Sequence, residues 1–64
     1  MWTVVYMATG LESAMEVENR LKSEGFLVKR KFFSKEGEYE LYEILAPEFE
    51  AQDVQLALLD LGII

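Results

Sequence analysis

The sequence predicts a small α+β domain of order β-α-β-β-α: a three-stranded sheet in order 1-3-2 with both helices on one face. Three observations predict it. Three stretches are rich in β-branched and aromatic residues, two others carry apolar residues at helical spacing, and glycines fall at the joins between them. With 64 residues the chain has room for one domain, residues 1–64, and none for a linker or a second lobe.

Trp2 to Ala8 reads as the first strand, closed by Thr9-Gly10. Thr9 followed three residues later by Glu12 has the spacing of a capping box, so a helix is expected to start there. Its inward stripe is Leu11, Ala14, Val17 and Leu21, and Gly25 ends it after Glu24. Phe26 to Phe33 is the second strand, and Ser34-Lys35-Glu36-Gly37-Glu38 is short and polar enough to be a hairpin turn into a third strand, Tyr39 to Ala46. Pro47 suits the first position of a second helix, where the N–H that proline lacks would be unpaired anyway. Ala51, Val54, Leu58 and Leu61 form that helix's stripe, and Gly62 stops it. If the first two strands lie parallel, the helix between them makes a right-handed crossover, giving a ferredoxin-like arrangement that lacks the fourth strand.

Composition narrows the chemistry. Without His or Cys the chain has no neutral-pH imidazole base, no thiolate nucleophile and no soft metal ligand, and no disulfide to reinforce a core of this size. The twelve acids are dispersed and form no calcium-loop pattern, so neither metal nor cofactor is expected. Two acids sharing a cleft would need a walled pocket that so short a chain hardly has volume to build; no enzyme is expected. The apolar run Met1 to Ala8 has no basic flank and is far too short to span a bilayer, which points to a cytoplasmic protein that does not enter the membrane.

Net charge is −6, yet all six bases lie between Arg20 and Lys35, a stretch that holds only one acid, Glu24. Lys29-Arg30-Lys31-Phe32-Phe33, with Tyr39 and Tyr42 on the next strand, has the cation and aromatic mixture of an RNA-binding sheet. It lacks the glycine-containing aromatic run of such sheets, and the net charge opposes phosphate. Cross-strand pairing of Lys29, Arg30 and Lys31 with Glu40 and Glu43 is the expected use of those bases. At Ala8-Thr9-Gly10 a strand leads into a helix N-terminus, but no lysine follows and Glu12 supplies the negative charge, so simple capping is expected in place of an anion site.

Strand parity directs Phe26, Val28, Tyr42, Ile44 and Ala46 to the helices. It leaves Leu27, Lys29, Lys31, Phe33, Tyr39, Leu41, Glu43 and Leu45 on the opposite face. That face is too apolar for a fully solvated surface. Leu27, Lys29, Lys31, Phe33, Tyr39 and Leu41 are therefore the candidate interaction residues.

Trp2-Thr3-Val4-Val5-Tyr6, Glu24-Gly25-Phe26-Leu27-Val28-Lys29 and Glu43-Ile44-Leu45-Ala46-Pro47-Glu48 resemble the small prokaryotic signal-transducing proteins of βαββα type, which stand near the PII nitrogen-regulator superfold. The likeness covers nearly the whole chain, and its motifs are core and capping features with no catalytic signature. It implies a non-enzymatic regulatory or ligand-sensing module. The loop between the second and third strands is only Ser34 to Glu38, where PII proteins carry a long one, so no nucleotide-binding residue carries over. The expectation is a module that binds a protein or small ligand, with a homodimer as a further possibility. A purely structural interaction subunit using the open face ranks second, and nucleic-acid binding third.

Overall fold

A computed structural model describes all 64 residues. The elements are β1 (Trp2–Thr9), α1 (Leu11–Ser23), β2 (Lys29–Glu36), β3 (Tyr39–Pro47), one turn of 3₁₀ helix (Glu48–Glu50) and α2 (Ala51–Asp60). The sheet order is β1-β3-β2, with β3 antiparallel to both neighbours and β1 parallel to β2. The βαββα architecture expected from the sequence is the one observed. Both helices press on the same face: Ala14, Val17 and Leu21 of α1 and Val54, Ala57 and Leu58 of α2 form one apolar cluster with Val5, Ala8, Val28, Ile44 and Ala46. The shortest extent of the molecule is 16 Å, the depth of one helix layer on one sheet. Its surface of 4268 Å² matches the value of about 4,200 Å² that size scaling gives for a folded chain of this mass.

Both helices end in the same way. After α1, Gly25 N–H donates to the Lys22 carbonyl and Phe26 N–H to that of Leu21; after α2, Gly62 N–H donates to Leu59 and Ile63 N–H to Leu58. These paired bonds are Schellman caps, and Phe26 and Ile63 fold back onto the core as that motif favours. The start of α1 differs from expectation. Thr9 is still in the ladder, opposite Leu41, so its hydroxyl sits one residue too early to cap, and no side chain caps this helix. Gly10 is the N-cap, with φ 90 and ψ 146, a conformation that a residue with a Cβ rarely adopts. Leu11 is also displaced from the expected stripe, being 44% exposed at the first helical turn.

Two other boundaries shift. Phe26 to Val28 form the approach to β2, which begins at Lys29 and runs on to Glu36, so the hairpin loop shrinks to Gly37 and Glu38. Gly37 has φ 62 while Glu38 has a negative φ, the pattern of a type II′ turn whose twist suits the hairpin. Pro47 closes β3 opposite Trp2 with ψ 143 and precedes the first helical residue; it is not the first residue of the helix.

Hydrogen bonds at the ends of the β1–β3 ladder fix its phase. Glu48 N–H donates to the Met1 carbonyl (2.8 Å) and Gly10 N–H to the Glu40 carbonyl (2.7 Å). Bonded and unbonded pairs alternate along an antiparallel ladder. Given the register, Thr3, Tyr6 and Ala8 turn their main chain to β3, whereas Trp2, Val4, Met7 and Thr9 turn theirs to the free edge. A bulge at Val5 lets both halves keep this order, and the Val5 carbonyl accepts from the Gln55 amide of α2 at 2.8 Å.

Leu21 and Leu58 are fully buried in the shared core. Truncating either to Ala should cost about 2–5 kcal/mol, and Leu11→Ala less than about 0.5 kcal/mol. Urea denaturation checks this; equal losses for Leu11 and Leu21 would show that the helix is turned differently.

Candidate interaction face

The face of the sheet away from the helices carries three rows. From β3 come Tyr39, Leu41, Glu43 and Leu45, from β2 Lys29, Lys31 and, past a bulge at Phe33, Ser34 opposite Leu41, and from β1 Trp2, Val4 and Met7, as the observed register requires. Phe33 and Tyr39 are 55% and 64% exposed, and Leu41, flanked by Ser34 and Thr9 in the register, is half-buried. Lys31 stands opposite Glu43. Leu27, 61% exposed, lies in the approach to β2, where its N–H donates to the Glu50 carboxylate at 3.1 Å and so ties that approach to the turn after β3.

One end of this face is organised by a single contact. Lys29 Nζ lies 4.1 Å from the centroid of the Trp2 ring, reaching from β2 to β1 across β3. The position it spans is Leu45, flanked by Val4 and Lys29 in the register and only 9% exposed. Leu45 is thus outward by parity but sheltered, apart from the helix-side core. The cation–π contact itself contributes on the order of 0.5–1 kcal/mol at an exposed site. The other apolar residues of the face, Val4, Met7, Leu41 and Tyr39, and Phe33 at the bulge, have no such cover.

Sequence reasoning omitted the β1 contribution. Alternation alone would have put Trp2 and Val4 outward, but the bulge at Val5 shifts the phase, so that Met7 follows them where a regular strand would have offered Tyr6.

The bases are not used as the ladder pattern suggested. Arg30 turns to the helix side and donates to Glu18 Oε1 of α1 at 2.7 Å, and Lys22 pairs with the other oxygen of Glu18 at 3.0 Å. Glu18 is buried. It is the carboxylate that the pattern did not single out, because a residue on the flank of a helix stripe becomes buried only once a neighbouring strand is docked beside it. Glu40, expected to meet a base, accepts from the Tyr42 hydroxyl at 3.1 Å. Tyr42 packs edge-on to Phe32, ring centroids 5.6 Å apart.

No three acidic side chains converge to hold a metal ion, and no pocket opens in the surface. No helix is long and apolar enough to cross a membrane. Comparison with protein-family models, curated proteins and solved structures returns no match.

Desolvation, then the hydrogen bond to Glu40 and the charge of that carboxylate, raise the Tyr42 hydroxyl above the usual phenol value of 10.0 against the opposing pull of Arg30. A raised folded-state value favours the protonated fold, so this contribution to stability is whole below pH 10 and is lost as pH rises through the folded value. The phenolate absorbance assigned to Tyr42, taken as the difference between wild type and Tyr42→Phe, should therefore develop above pH 10. Its development at or below pH 10 would show that desolvation and Glu40 together do not outweigh the pull of Arg30.

Proposed function

We propose that this chain is a non-catalytic binding module that engages a protein partner through the uncovered face of its sheet. The observation that carries the reading is the set of uncovered apolar side chains there, Met7, Leu41 and Tyr39 with exposed Phe33 at the β2 bulge, left open because both helices occupy the other face. A flat surface without a pocket suits a macromolecule better than a small ligand, whose recognition depends on enclosure. Its aromatic side chains, Phe33 and Tyr39, are of the kind enriched in protein interfaces, and the one charged pair set within the face, Lys31 opposite Glu43, can meet a partner of matching charge. The resemblance to small prokaryotic signal-transducing proteins supports a regulatory role in the cytoplasm.

The test is capture from a bacterial lysate with paired variants. Phe33→Ser combined with Leu41→Ser removes apolar area from the open face, and Leu59→Ser makes a similar change on exposed α2. A partner retained by wild type and by Leu59→Ser should fall at least tenfold with the double variant, whose far-ultraviolet circular dichroism stays that of wild type. Equal capture by all three, or loss only with Leu59→Ser, would remove the open face from the function.

A further inference from the structure

The sheet has two free edges, and they differ in kind. The main-chain groups of Trp2, Val4, Met7 and Thr9 point out from β1, and no other element of the chain bonds to them; Gln55 reaches only the bulge carbonyl of Val5. Natural sheets shield such an edge with lysines, prolines or a covering segment. Trp2–Thr9 contains no charged residue and no proline. The edge of β2, by contrast, belongs to a strand with Lys29, Arg30, Lys31 and Lys35.

We propose that β1 is the pairing edge for a second copy of this chain, joined antiparallel about a twofold axis between Val5 and Tyr6. The register follows from the positions of the outward groups. With the axis there, Trp2 faces the partner's Thr9 and Val4 faces the partner's Met7. Every residue whose N–H and C=O point outward meets another such residue, and each of these pairs can exchange both hydrogen bonds. The bulges of the two copies fall opposite one another at the axis, so the extra residue that breaks the phase in one strand is matched in the other. Any shift by one residue sets outward groups against inward ones.

Charge selects the same edge. Each chain carries −6, and a symmetric contact must keep those charges apart; β1 alone among the strands has none to bring together. Pairing β2 with β2 would set its bases against their own copies. Pairing β1 with β2 would leave a free edge at each end and build an open polymer, whereas the β1 twofold closes after two chains. The product is a six-stranded sheet in which the two open faces become one, with Trp2, Val4 and Met7 of both copies along the seam. This inference does not depend on the identity of any protein partner.

Val4 offers a clean substitution because its N–H faces the edge and not β3. Proline at an edge position with its nitrogen outward is tolerated within a strand. Sedimentation equilibrium over a hundredfold concentration range should give twice the 7.4 kDa chain mass for wild type. Val4→Pro should sediment as the single chain with unchanged circular dichroism, and Phe33→Ser with Leu41→Ser should remain dimeric even if partner capture is lost. A monomeric wild type throughout that range, or a folded Val4→Pro variant that still dimerises, overturns the proposal. Should Val4→Pro unfold, amide exchange in wild type decides: the Val4 and Met7 amides should slow at least tenfold from dilute to concentrated solution, and equally fast exchange at both concentrations refutes the pairing.

Discussion

The structure depends on β3 being hydrogen-bonded along both edges. It is the only element with two strand neighbours, and every contact that gives the molecule a face passes through it: Ile44 and Ala46 project to the helices, and Leu41, Glu43 and Leu45 project away. A strand paired on both sides has all its main-chain groups satisfied, so it can be apolar on both faces without exposing backbone to solvent. The sequence Tyr39–Pro47 uses that freedom. The helices then need cover only one face, and the other is left without a covering layer.

From this constraint follow the different fates of the outer strands. β2 carries the chain's cationic cluster, and one member, Arg30, locks the strand to α1 through buried Glu18 while Lys29 crosses the open face to Trp2. Charged groups thus serve as ties between layers and strands. β1 has no charged side chain to use in this way and is held by the ladder to β3, by Val5 and Ala8 in the core, and by Gln55 at the bulge. Of the two edges it is the one with outward hydrogen-bonding groups and no charges flanking them.

Much of this was legible in the residues because the signals were local. Gly25 and Gly62 end helices through bonds made within six residues, and the apolar spacing of Ala14, Val17 and Leu21, or of Val54 and Leu58, is set by helical pitch alone. Parity sorted Val28, Ile44 and Ala46 from Leu41 and Leu45 for a similar reason. What escaped depends on contacts distant in sequence. Thr9 has the spacing of a cap, but β3 claims it for the ladder. Arg30 has two acids on the adjoining strand, but its side chain points to α1. The bulges at Val5 and Phe33 change the phase of a strand without any glycine or proline to announce them. The first of these hid Met7, the residue that follows Trp2 and Val4 on the open face.

The most direct test of the central place of β3 is the pattern of cross-strand Hα–Hα nuclear Overhauser contacts. Close Hα pairs occur at the positions of an antiparallel ladder that do not exchange hydrogen bonds. Contacts are expected from Met7 to Glu43 and from Val4 to Leu45 on one side of β3, and from Arg30 to Ile44 and Phe32 to Tyr42 on the other. Contacts joining β1 directly to β2, or a β3 with partners on one side alone, would contradict this arrangement.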